Sequence, residues 1–294
     1  MILHLVASPL PRSGTLAPAV VIVVLLAAVV HATWNAIAHG IPDHLVAFTW
    51  LGIGGMLGAL PLVLVAPAPH AQSWPFLGTS IVLHVAYMVL LMQCYRLGDF
   101  SQVYPVARGV SPLVTTLLAA LVVDEIPTPG RLAGVVVISA GLASLALLGR
   151  RPQGGALALG AAILTGLTIA TYTTVDGLGV RLAGTDAGYT GWLILLEGSA
   201  LPLWTLTWRR RALCAQGRAV AAVGVLGGLL SVLGYGLVLW AQTQGPLGPI
   251  AALRETSIIV GALIGAVVFH ERFGRPRTVA AVVVAAGILV LTLG

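Results

Sequence analysis

The chain has 294 residues, of which 58% are hydrophobic and only 8% charged, and its mean hydropathy of +1.01 lies far above that of a water-soluble domain. A soluble globular enzyme is excluded, and ten apolar spans of about 20 residues each leave room only for short loops and two tails. The net charge of +6 comes entirely from arginine, with no lysine anywhere. This usage fits the codon bias of a GC-rich bacterial genome, and because the arginines sit in short turns rather than on one face, they exclude a nucleic-acid footprint.

In chain order, apolar runs bounded by charge, Pro and Gly predict spans over 17–38, 44–66, 75–96, 101–122, 130–149, 155–177, 187–208, 219–242, 247–268 and 276–293. Breakers mark the turns, among them Pro42-Asp43, Pro67-Ala68-Pro69, Gly98-Asp99, Pro127-Thr128-Pro129-Gly130 and Gly245-Pro246. Residues 1–16 read as an N-terminal tail. Cys94 and Cys214 form neither a disulfide framework nor a metal-ligand spacing, and no cofactor or metal is expected.

Comparing the chain with itself is the most informative step. At an offset of 146 residues, Arg108 aligns with Arg254, Ser111 with Ser257, Glu125 with Glu271, Arg131 with Arg277 and Gly141 with Gly287. A weaker register sets Ala32-Thr33-Trp34-Asn35 against Ala170-Thr171-Tyr172-Thr173. The expected fold class is therefore an all-α membrane protein of ten transmembrane helices, built as two five-helix repeats over 17–149 and 155–294. Five is odd, so the second repeat enters the membrane from the opposite face, and the repeats are inverted, as in many secondary carriers.

The residues that carry a family resemblance are His31-Ala-Thr-Trp-Asn-Ala36, Tyr95-Arg-Leu-Gly-Asp99, Val103-Tyr-Pro-Val-Ala-Arg-Gly-Val-Ser-Pro112, Asp124-Glu125, Arg254-Glu-Thr-Ser257 and His270-Glu271. With these the chain resembles the EamA family of the drug/metabolite transporter superfamily along nearly its whole length. That family often has Gly-Glu where this chain has Asp124-Glu125 and His270-Glu271. The resemblance implies export or exchange of small metabolites, such as amino acids, by a carrier that does not use ATP.

Charged side chains in hydrocarbon are costly and mark functional candidates. Arg108 and Arg254 each lie about 10 Å into their spans at 1.5 Å per residue, and their planar guanidinium groups suit a carboxylate or phosphate. Either could instead snorkel to the interface or pair with Glu197 or Glu255, Glu255 being the immediate neighbour of Arg254. Tyr104 lies one turn before Arg108, Ser111 and Pro112 follow on its face, and Pro112 is expected to break that helix's hydrogen-bond ladder and free a carbonyl towards the cavity. Glu197 falls near the centre of its span without a charged neighbour in the same turn. Desolvation there favours its neutral form, which would suit proton coupling; a fixed pair with an arginine is the alternative.

Trp34, Asn35 and Tyr172 are further candidates for substrate contact, or for interhelical hydrogen bonds. His31 shares a face with Asn35, as Asp176 does with Tyr172, and His84 is a weaker candidate. Gly54-x3-Gly58, Gly224-x3-Gly228 and Gly261-x3-Gly265 have the spacing of close-packed helix seams.

No HExxH, CxxC, P-loop or GxSxG signature occurs, and Asp176-Gly-Leu-Gly lacks a second deep aspartate. The expected function is a secondary active transporter of small polar metabolites, an exporter or exchanger coupled to protons, in the bacterial inner membrane as a monomer or homodimer. The alternative is an integral membrane enzyme, or enzyme subunit, acting on lipid. On orientation, the arginine distribution places both termini outside, whereas the resemblance implies both inside.

Overall fold

The computed structural model describes residues 16–97, 100–147, 155–215, 217–268 and 275–293. The tail over 1–15 and the motif residues Asp99, His270 and Glu271 lie outside them. Among the described residues the regular structure is helical, with no strand. The helices are α1 (Pro18–His39), α2 (His44–Val65), α3 (Trp74–Leu97), α4 (Phe100–Val122), α5 (Pro129–Leu147) and α6 (Gly155–Leu182). They continue with α7 (Asp186–Trp208), α8 (Arg210–Ala215), α9 (Gly217–Gln244), α10 (Leu247–Arg254), α11 (Ser257–Val268) and α12 (Arg275–Leu293). Six of the described helical segments are long and apolar enough to cross a membrane, and two more, Pro129–Ser144 and Thr278–Leu293, are shorter apolar helices.

Local chemistry explains the boundaries. Asp43 caps α2 by accepting from the Leu45 and Val46 amides at 3.0 and 3.2 Å, and Thr185 caps α7 by accepting from Gly188 at 3.0 Å. These bonds satisfy amides that a helix start leaves without partners. Past the end of α4, Asp124 adopts φ 60°, the left-handed region where a side chain costs energy and glycine does not. That is the physical reason a Gly-Glu sequence suits this place, and Asp is one of the few residues that substitute there.

Helix α4 runs through both Pro105 and Pro112 as a continuous helix, although a proline, having no N–H, gives the ladder no hydrogen bond. One expectation about helix continuity is corrected, because a break falls between α10 and α11. There Glu255 and Thr256 donate to carbonyls three residues back, at 3.1 Å each, and the Thr256 hydroxyl donates to the Leu253 carbonyl at 2.8 Å. Tightened i→i−3 bonds and a side chain competing for the backbone acceptor end the α-helical ladder. One expected span, 247–268, is thus two helices.

Packing is dominated by close helix pairs: α5 with α12, α2 with α7, α3 with α6, and α9 with both α1 and α2. The glycines at the α2–α9 seam are needed because backbone meets backbone. A Cβ on Gly54 would stand 2.2 Å from the Val225 carbonyl oxygen, and one on Gly228 would stand 2.2 Å from that of Leu51. The Gly54 and Gly224 motifs are therefore packing seams, but Gly261 is not, since nothing lies within 4 Å of the place its Cβ would occupy.

These two sites give a paired prediction. Gly228→Ala is expected to destabilise the fold by about 3 kcal/mol through overpacking, whereas Gly261→Ala is expected to be neutral or to stabilise by up to about 1 kcal/mol through helix propensity. Thermal unfolding of the purified variants in detergent checks both, and equal melting of the two would contradict the seam.

Candidate functional site

The helix break and the middle of α4 place a group of buried charges at the interior. Arg108 Nε lies 2.8 Å from Glu255 Oε2, with both side chains almost wholly buried. Arg108 Nη2 donates to Ser257 Oγ at 3.0 Å, so one arginine grips both sides of the break, Glu255 in the turn and Ser257 at the start of α11. The Tyr104 ring lies 5.9 Å from the guanidinium carbon, on the same helix face one turn earlier. Of the pairings with Glu255 open to the two arginines, the one present is with Arg108, not with the sequence neighbour Arg254. A helix turn points adjacent side chains apart, and the tightened break aims Glu255 at α4.

Arg254 differs. Its side chain is 3% exposed, and its Nε and Nη2 are buried without a hydrogen-bond partner, as is the hydroxyl of Ser111. The charge of Arg254 reaches Glu255, His31, Tyr172 and Tyr235 electrostatically.

A second cluster surrounds α6. Asp176 is fully buried and accepts hydrogen bonds from the hydroxyls of Tyr189 (3.0 Å) and Tyr235 on its two oxygens. His84, a weaker candidate from sequence, proves central. Its ring stacks on Tyr172 with centroids 4.0 Å apart and meets Tyr235 edge-on at 5.7 Å. Its Nδ1 lies 3.0 Å from both the hydroxyl and the carbonyl oxygen of Ser80, which leaves Nε2 directed towards Glu197. That separation, 3.9 Å to Oε2, is too long for a hydrogen bond. Among the described residues Glu197 is paired with no arginine, and the titratable side chain nearest it is His84.

Tyr172 joins the two clusters. Its ring packs on His84 and on Tyr87, and it lies within electrostatic reach of Arg254 and Arg108 on one side and of Glu197 and Asp176 on the other. Trp34 packs edge-on against His31 at 4.9 Å, and Asn35 donates to the His31 carbonyl of its own helix at 2.8 Å. It is His31 that sits in the field of the two arginines.

At one rim, Arg181 at the end of α6 donates to Glu125 Oε1 at 2.7 Å and to the Gln242 and Gly245 carbonyls at 2.8 Å each. Glu125 Oε2 accepts from the Leu247 amide, also at 2.8 Å. This knot ties the ends of α4, α6 and α9 to the start of α10. Sequence reasoning missed it, together with Tyr189 and Tyr235: the repeat marks Glu125 as special, but nothing local names its partner. Cys94 is a buried free thiol 3.2 Å from Thr165 Oγ1. Among the described residues no three His, Cys, Asp or Glu side chains gather as a metal site.

The architecture and the buried charges define a multi-pass helical membrane protein with a polar interior. The EamA-like transporter family model, part of the drug/metabolite transporter superfamily, matches residues 156–293, the second half of the chain. Among the solved structures that match is a crystal structure 17% identical, covering 94% of this chain and 98% of its own, with a TM-score of 0.72; at that identity it shows the shared fold alone. No curated protein matches the sequence.

Removing one of the two donors to Asp176 leaves a buried carboxylate under-satisfied. Tyr235→Phe is expected to lower the unfolding free energy by about 2 kcal/mol, the scale of a hydrogen bond to a charged group. Chemical denaturation in detergent checks this, and a variant as stable as the parent would show that the Tyr235 bond contributes nothing.

Proposed function

We propose that the chain is a secondary active transporter of small polar metabolites such as amino acids, an exporter or exchanger of the bacterial inner membrane, working by alternating access around the central polar site. In this reading ten crossings form two inverted repeats, 17–149 and 155–294, and each repeat closes one side of a shared cavity. The observation that carries it is the Arg108–Glu255 contact. Charged groups held at the junction of the two repeats, against the cost of hydrocarbon burial, have a purpose in a solute pathway that they lack in an inert scaffold.

A second observation supports two-state behaviour. The α2–α9 seam is tight, while its counterpart under the repeat, α3 against α7, touches only slightly. Equivalent contacts made unequally are what one state of an alternating carrier requires, with the inequality reversing in the other state.

The substrate-contacting residues proposed are Arg254, Tyr104, Trp34, Asn35 and Tyr172, the last three as walls of the site, while Arg108, a candidate for contact from sequence, is engaged by Glu255 and Ser257. Glu197 is the proposed proton-coupling carboxyl. Its side chain is 16% exposed rather than fully buried, and among the described residues no arginine lies within ion-pair distance of it. Protonation and release can then follow the side to which the site is open.

Glu197→Gln separates coupling from structure. In proteoliposomes the variant is expected to lose gradient-driven accumulation by about tenfold or more while retaining substrate exchange. Undiminished uphill transport in a well-folded Glu197→Gln protein would remove Glu197 from the coupling step.

A further inference from the structure

The two arginines are repeat mates, yet their charges are not equally compensated. Arg108 has Glu255 at 2.8 Å and Ser257 at 3.0 Å. Under the 146-residue repeat, the mate of Glu255 is Gly109 and the mate of Ser257 is Ser111. Gly109 offers no carboxylate and has no room for one, because a Cβ there would meet the Ser139 carbonyl oxygen at 3.1 Å and Leu142 at 3.2 Å. Ser111 carries the matching hydroxyl, but it stands buried without a hydrogen-bond partner, and so do Arg254 Nε and Nη2. Two cations therefore share one carboxylate, which is in ion contact with Arg108 alone; Arg108 Nε and both Glu255 oxygens also lack a well-directed hydrogen bond, but Arg254 Nε and Nη2 lack an ion contact as well.

Resting on the carrier reading above, we propose that Arg254 is the anchor for the substrate's carboxylate, and that Arg108 is a positioning residue that neutralises Glu255 and keeps it from occupying Arg254. A buried guanidinium with two empty N–H positions is short of a planar oxyanion acceptor, and a carboxylate fits that fork in a bidentate manner. The cost of leaving such donors unfilled in a buried site becomes binding selectivity once a carboxylate fills them, because the corresponding neutral amide brings its own N–H groups against the arginine. Around this anchor Tyr172, Tyr235 and His31 lie within reach of the Arg254 charge. The class of ligand is thus a small carboxylate-bearing solute.

The test measures binding to the purified full-length protein in detergent by titrating the melting midpoint. The probes are acetate, benzoate and L-phenylalanine, each against its own amide at matched ionic strength. At least one carboxylate is expected to bind about tenfold more tightly than its amide. Arg254→Gln is expected to abolish that preference, while the double variant Arg108→Gln/Glu255→Gln, which removes the pair as a neutral unit, is expected to keep it. The proposal is overturned if the parent protein shows no carboxylate preference, if the preference survives in Arg254→Gln, or if the folded double variant loses it.

Should Arg254→Gln fail to fold, Arg254→Lys is read in its place, with a reduced preference expected and an unchanged one overturning the proposal. Should the double variant fail to fold, Ser257→Ala, which removes only the hydrogen bond to Arg108, is expected to keep the preference, and its loss overturns the proposal. Flux in proteoliposomes distinguishes the two levels. Carboxylate binding without flux leaves the anchor standing and removes the carrier reading, whereas flux without carboxylate preference does the reverse.

Discussion

The contact between Arg108 and Glu255 is the constraint on which the interior depends. Neither group could be buried in hydrocarbon alone, and together they lie across the junction where α4 meets the interrupted helix α10–α11. An uncompensated charge left by removing one partner costs several kcal/mol, so the pair fixes how far the break can open and where Ser257 stands. The break in turn frees Arg254 from the regular helical stack at the end of α10. In this way one ion contact sets the position of the other cation.

From that junction the site extends as two chemically distinct ends joined by aromatic rings. The cationic end contains Arg108, Arg254 and Glu255; the acidic end contains Asp176, held by two tyrosine hydroxyls, and Glu197, beside His84. Asp176 has both oxygens occupied and acts as a fixed point of the fold, while Glu197 has no such bonds among the described residues, which is why it is the carboxyl proposed for proton exchange. The distinction follows from hydrogen-bond saturation alone, because a group already satisfied by the protein gains little by binding a transient ligand.

Much of this was legible in the sequence. Apolar periods, caps and breakers placed the helices within a few residues, and the 146-residue repeat singled out Arg108, Arg254, Ser111 and Ser257 before any coordinates. What local reasoning could not supply was partner choice. Glu255 sits next to Arg254 in the chain but touches Arg108 in space, Pro112 lies inside an unbroken helix while a Glu-Thr pair ends one, and Gly261 has the spacing of a seam without a facing backbone. Each of these depends on which helix packs opposite, a tertiary fact that spacing along one helix does not encode. Tyr189 and Tyr235 escaped for the same reason, since an isolated tyrosine in an apolar span gives no sign that a carboxylate from another helix is its acceptor.

The central claim is that the two repeats exchange unequal contacts about this charged junction. Pairs of spin labels, Val82 with Leu196 across α3 and α7 and Leu57 with Leu226 across α2 and α9, report it directly, because all four side chains are exposed. In proteoliposomes, with and without an imposed pH gradient, the account predicts two distance populations for each pair. The α3–α7 separation should shorten in the state where the α2–α9 separation lengthens. A single unchanging distance in both pairs, or changes of the same sign, would contradict it.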